Sequence, residues 1–64
     1  MTELDRFMRR TEVEQTIGMS TSMLYKMMAC GKFPKPVKLG DMSLWSAREI
    51  AEWQQRKMKE RTHA

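Results

Sequence analysis

Apolar residues fall into short periodic groups, and Gly18, Gly31 and Gly40 separate them. Pro34 and Pro36 reinforce the middle break, because neither suits a helix interior. Residues 4–10 set Phe7 and Met8 between charged side chains, which fits a short strand or an ordered arm. Thr11-Glu12-Val13-Glu14 has capping-box spacing: the Thr hydroxyl accepts a first-turn N–H and Glu14 reaches back to the cap. A short helix over about residues 12–16 follows, with Val13 and Ile17 four apart on one face. Ser20 is a good N-cap for a second helix over residues 21–30, and Gly31 stands where a left-handed stop belongs. On that helix Met23, Leu24, Met27, Met28 and Cys30 share one side, while Ser22, Tyr25, Lys26 and Ala29 share the other.

The second half changes period. Val37-Lys38-Leu39 alternates, Gly40-Asp41 makes a turn, and Met42-Ser43-Leu44-Trp45 returns, the pattern of a β-hairpin. Ser46-Ala47-Arg48-Glu49 is a second capping box. It opens a helix to about residue 59, with Ala47, Ile50, Ala51, Trp53 and Met58 along a broad apolar face. Residues 61–64 are expected to fray.

Two helices joined by a short turn containing glycine form a helix-turn-helix. With Gly18 as the turn glycine, the positions that pack the helices together fall on Val13, Ile17, Met19, Leu24 and Met27, all apolar. Glu14 occupies a position that usually holds a small residue, so its side chain is expected to point outward. The expected fold is mainly α with a small β-hairpin, a winged helix-turn-helix forming a single domain over residues 1–64. Within it, residues 3–10 are the N-terminal arm or strand, 11–30 the helix-turn-helix, 37–45 the wing and 46–60 the C-terminal helix.

Composition narrows the possible functions. A chain of 64 residues buries only about 60% of its unfolded surface and leaves little room for a catalytic cleft. Cys30 is the one cysteine and His63 the one histidine, so neither an intramolecular disulfide nor a Cys/His metal site is expected. Ser43, Ser46, Asp41 and His63 form no workable catalytic set, and no enzyme activity or cofactor is expected. No stretch is long and apolar enough for a membrane span, and the acidic, polar start is unlike a signal peptide, which places the expected location in the cytoplasm.

The net charge is +4, and residues 20–40 carry all of that excess: Lys26, Lys32, Lys35 and Lys38 without one acid. Residues 1–19 sum to −1 and residues 41–64 to +1. Such a footprint suits a polyanion docking against one element and its neighbour. The second helix supplies matching chemistry. Ser20, Thr21 and Ser22 bring short hydroxyls and first-turn amides suited to phosphate oxygens. Lys26 is placed to donate to guanine O6 or N7, and Tyr25 to reach a phosphate, a sugar or a thymine methyl. Arg9 and Arg10 precede the first helix, which crosses the DNA backbone in this pose, so both are candidate phosphate clamps.

The chain resembles the AlpA-type phage regulators, relatives of small excisionases in the MerR-like winged-helix group. The resemblance covers roughly residues 4–57 and rests on four stretches. These are Phe7 to Val13, Ile17 to Met28, Gly31 to Gly40 (GKFPKPVKLG, the most specific), and Trp45 with Glu49-Ile50-Ala51-Glu52-Trp53. It implies that residues 20–30 are the recognition helix and 37–45 the wing. Family members often carry a basic residue just after the glycine matching Gly40, and a longer loop before the Trp. Here Asp41 stands at a short tip and repels phosphate, which shifts the expected contacts to Lys35 and Lys38 at the hairpin base.

The resemblance implies a sequence-specific DNA-binding protein of a prophage or mobile element. Two outputs share that docking chemistry. One is transcriptional regulation, with RNA polymerase as the partner; the other is an excisionase role beside an integrase. No dimerisation heptad is present, so a monomer in solution is expected, with cooperative binding on DNA under the excisionase role. The alternative is a protein-interaction module on the same scaffold, which Asp41 keeps in view. Trp45, Trp53 and Phe33 are expected in the core rather than as base-stacking platforms, and Met19, Met23, Met27 and Met28 as gap-fillers. Cys30 reads as a small apolar filler and Met42 as exposed. Arg56, Lys57, Lys59 and Arg61 are interleaved with Glu49, Glu52 and Glu60, a solvated and salt-laced surface.

Overall fold

A computed structural model describes residues 4–61. The elements in chain order are β1 (Phe7–Arg9), α1 (Arg10–Ile17), α2 (Thr21–Ala29), β2 (Val37–Leu39), β3 (Met42–Ser46) and α3 (Ala47–Glu60). The result is a winged helix-turn-helix: three helices on a small antiparallel sheet. His63 and the rest of the expected frayed tail beyond Arg61 lie outside the described residues.

The segment read as an arm or a strand is a strand. β1 pairs with β3, placing Met8 opposite Trp45 and Arg9 opposite Leu44. β2 pairs with the other edge of β3, so the expected hairpin is part of a three-stranded sheet of order β1-β3-β2. Cross-strand partners share a face. Met8 and Trp45 therefore face the helices together, at 3% and 1% exposure. Leu44 is buried on the opposite face, with Phe7, Val37, Leu39 and Met42 exposed around it. Met42 thus lies where its sequence position suggested.

The pairing of β1 corrects the expected start of α1. The ladder keeps Arg9 extended (φ −82°, ψ 163°), and the helix begins directly after it at Arg10. Thr11 is then already inside the first turn, and α1 has no side-chain cap. The capping box predicted over residues 11–14 does not form. At the far end Gly18 adopts φ 78°, and its N–H donates to the Glu14 carbonyl at 2.8 Å.

The Ser20 cap forms as expected, and of the box expected over residues 46–49 the Ser46 half forms, while the Glu49 side chain makes no return bond among the described residues. Ser20 Oγ accepts the Met23 amide, and Ser46 Oγ accepts the Glu49 amide. α2 closes with paired bonds, Gly31 N–H to Met28 O and Lys32 N–H to Met27 O, with Gly31 at φ 71°. This is a Schellman stop. The start of α3 has an addition from far along the chain. The Asp5 carboxylate accepts the Ser46 hydroxyl and the Arg48 amide.

The core joins Met8, Val13, Leu24, Phe33, Trp45, Ile50 and Trp53, with Ile17, Met19, Met27, Met28 and Ala47 packed around it. Each indole N–H satisfies a carbonyl of the segment between α2 and β2. Trp45 donates to Pro34 O at 3.0 Å and Trp53 to Lys32 O at 2.8 Å. Phe33 meets Trp53 edge-on, with ring centroids 4.8 Å apart. Both tryptophans and Phe33 are structural, as expected.

Four apolar assignments are corrected. Met23 is 46% exposed and Met58 51% exposed. Cys30 and Ala51 are exposed as well. The reason is one of scale. Leu24 is the one fully buried side chain of α2, with Met27 and Met28 partly buried beside it, and Ile50 and Trp53 are the buried side chains of α3, with Ala47 partly buried. A core of seven buried side chains cannot cover the wider apolar stripe that a helical wheel suggests.

Candidate nucleic-acid interface

The turn from Gly18 to Ser20 joins α1 to α2, and Val13 of α1 and Leu24 of α2 are both fully buried in the shared core. α2 consequently presents Ser22, Tyr25, Lys26 and Ala29 to solvent, as its sequence periodicity predicts. Tyr25 is 54% exposed although it is aromatic. No acid lies on α2, and Lys26 supplies its positive charge. The first-turn amides of Thr21 and Ser22 have no intrahelical acceptor, while Ser20 spends its acceptor on Met23.

Arg10, Glu14 and Thr21 form a hydrogen-bonded triangle joining the first turns of α1 and α2. Arg10 Nη1 donates to Glu14 Oε2 at 2.8 Å and to Thr21 Oγ1 at 3.0 Å. Thr21 Oγ1 donates in turn to Glu14 Oε2 at 2.9 Å. Glu14 is therefore half-buried and paired rather than outward-pointing and capping. Its i,i+4 spacing to Arg10 was visible in the sequence. Its bond to Thr21 was not, because that requires the angle between the two helices.

Beside Arg10 the chain forms a shallow depression of about 410 Å³, bounded by the start of α1, Tyr25 of α2 and the hairpin tip. Arg9, Arg10 and Tyr25 line it together with Asp41 and Ser43. Lys38 stands beside it, donating from Nζ to Ser43 Oγ at 2.7 Å across the hairpin. Of the candidate residues, Arg9, Arg10, Tyr25 and Lys38 thus share one surface, and Ser20, Thr21, Ser22 and Lys26 adjoin it on α2. Lys35 is placed apart. It lines a second groove of about 580 Å³ against α3, near Arg56 and Lys57. Lys57 pairs with Glu60 at 3.2 Å and lies 6.0 Å above the Trp53 ring.

Asp5 is a structural residue that sequence reasoning missed. Its bond from Ser46, assisted by the Arg48 amide, holds its carboxyl below its ordinary value of 3.8 against a smaller opposing effect of desolvation. Its partners lie more than forty positions away, so no local pattern reveals it. Among the described residues no group of three or more His, Cys, Asp or Glu is arranged to hold a metal, and no helix is long and apolar enough to cross a membrane.

No solved structure matches the chain. Among curated proteins it is 36% identical over 50 residues to "Uncharacterized protein ORF88" of Enterobacteria phage P4. That alignment takes in 77% of the chain but only 57% of the phage protein, so the chain spans little more than half the length of its relative. The family described as "Prophage CP4-57 regulatory protein (AlpA)" matches residues 6–58, which runs from the segment before β1 almost to the end of α3. With the match spanning the sheet, the helix-turn-helix and the last helix together, the chain belongs to the AlpA family of prophage regulatory proteins.

Proposed function

We propose that the protein binds double-stranded DNA sequence-specifically, inserting α2 into the major groove as a regulator within a prophage or mobile element. One observation carries this reading: α2 turns an acid-free face of Ser22, Tyr25 and Lys26 outward while Leu24 beneath it is fully buried. A half-exposed tyrosine next to a lysine, flanked by Arg9 and Arg10, has the chemistry for base edges and phosphates. In this pose Lys26 donates to a guanine edge, Tyr25 contacts backbone or a thymine methyl, and Arg9, Arg10 and Lys38 take phosphates. Ser20, Thr21 and Ser22 approach a phosphate at the start of α2. Lys35 reaches a phosphate only on a duplex long enough to pass the hairpin base. The chain acts as one DNA-binding domain.

Footprinting on DNA flanking the protein's own gene tests the reading. A discrete protected stretch is expected, lost in Lys26→Ala with the helical circular dichroism unchanged. Uniform coverage of all sequences, or none, contradicts it. The regulatory output follows from the pattern of protection. One site over a promoter fits transcriptional control with RNA polymerase as the partner. Several adjacent sites with measurable bending fit an excisionase working beside an integrase. A second reading, a protein-interaction module, draws on Asp41, which places a negative charge in the depression beside Arg9 and Tyr25. It predicts no salt-sensitive DNA affinity.

A further inference from the structure

Arg10 is a candidate phosphate contact, yet an acid holds it. The Glu14 side chain is 17% exposed and that of Arg10 is 41% exposed, so the pair sits half in solvent at the edge of the reading surface. Both Glu14 bonds arrive at one oxygen, Oε2, from Arg10 Nη1 and Thr21 Oγ1. Arg10 Nη1 completes the triangle by donating to Thr21. A guanidinium has five N–H donors, and within the described residues only those of Nη1 are engaged. Nε and Nη2 remain available on a group whose position is fixed at two points.

This arrangement has two physical consequences. Seen from beyond a Debye length of about 8 Å, Arg10 and Glu14 cancel, so the pair adds nothing to the general attraction for a polyanion. Seen from contact distance, the guanidinium is a rigid fork, and a phosphate placed against the start of α2 meets it without the entropy cost of ordering a free arginine. A loosely docked duplex gains nothing from the pair, whereas a duplex seated in register gains a preorganised contact.

We propose that Glu14 is a specificity-positioning residue. It cancels the long-range charge of Arg10 and fixes its guanidinium against Thr21, so that Arg10 contributes to binding only on a fully docked site. The proposal rests on the DNA-binding reading above.

The test compares affinities for the footprinted site and for a random duplex over a salt series. Glu14→Gln keeps an oxygen acceptor and removes the charge. Affinity for random DNA is expected to rise about eightfold at 0.1 M salt, with the slope of log K against log salt steeper by about 0.9, the signature of one more released counterion. Affinity for the specific site rises less, so discrimination falls. The charge-neutral double variant Arg10→Gln/Glu14→Gln is expected to leave random-DNA affinity within about twofold and weaken the specific site about tenfold, the loss of one charge-assisted contact. Arg10→Lys keeps the charge and the fold but lacks the fork, and it too is expected to weaken only the specific site. Equal losses on both DNAs in the double variant and in Arg10→Lys, or no change on either, overturn the proposal. Failure of the wild-type protein to bind any duplex instead removes the DNA-binding reading itself.

Discussion

Replacing Trp53 with alanine is expected to unfold the protein. Trp53 is 8% exposed, meets Phe33 edge-on at 4.8 Å and donates its indole N–H to Lys32 O at 2.8 Å. Truncating a buried aromatic to alanine costs about 3–5 kcal/mol. A 64-residue domain at roughly 0.05–0.15 kcal/mol per residue has about 3–10 kcal/mol in total. The loss is therefore comparable to the whole stability. Trp53→Phe separates packing from hydrogen bonding. It keeps most of the ring burial and removes the donor to Lys32 O. The expected cost is about 1–2 kcal/mol, or a Tm lower by roughly 5–15 °C. Thermal and urea melts followed by circular dichroism give both numbers. A cooperative Trp53→Ala transition within a few degrees of wild type would refute the placement of this ring at the centre of the core.

Other substitutions probe the surface, the turn and the distant cap. Tyr25→Ala and Lys26→Ala are expected to leave the melt unchanged, and Lys26→Ala to weaken the specific site by about 1–3 kcal/mol; a collapsed melt for Tyr25→Ala would mean that this side chain faces the core. Gly18→Ala is expected to cost about 1–2 kcal/mol in a urea melt, purely from φ 78°, because a Cβ there meets nothing within 4 Å. Asp5 has a folded pKa below its ordinary 3.8, so its contribution to stability is present above about pH 4 and disappears as the pH falls through the folded value. Asp5→Asn is thus expected to lower Tm at neutral pH and to flatten its decline below pH 4; an unaltered acid profile contradicts the cap.

Much of the fold was legible because its signals are local. Ser20 and Ser46 announced their helices, and Gly18 and Gly31 their ends. The alternation around Gly40-Asp41 announced the hairpin, and the outward face of α2 followed from period alone. The misses share a cause in long-range pairing. Three residues, Phe7–Arg9, give no periodicity, so β1 became visible as a strand only through Leu44, Trp45 and Ser46. That pairing moved the start of α1 to Arg10 and released Glu14 from the expected cap to bind Arg10 and Thr21. Met23, Cys30, Ala51 and Met58 are exposed although a helical wheel places them on apolar faces, because the wheel reports hydrophobicity whereas the size of the core decides what is covered. In the candidate site, the residue types were legible from charge and periodicity. Their grouping was not: Lys38 adjoins the depression through Ser43, while Lys35 lies in the groove against α3.

The central claim is that α2 and its basic neighbours hold duplex DNA, and salt dependence tests it most directly. On the specific site Arg9, Arg10, Lys35 and Lys38 supply four charged phosphate contacts, so log K there is expected to fall against log salt with a slope of about −3.6. Affinity absent at low salt, or a slope near zero, would contradict the account.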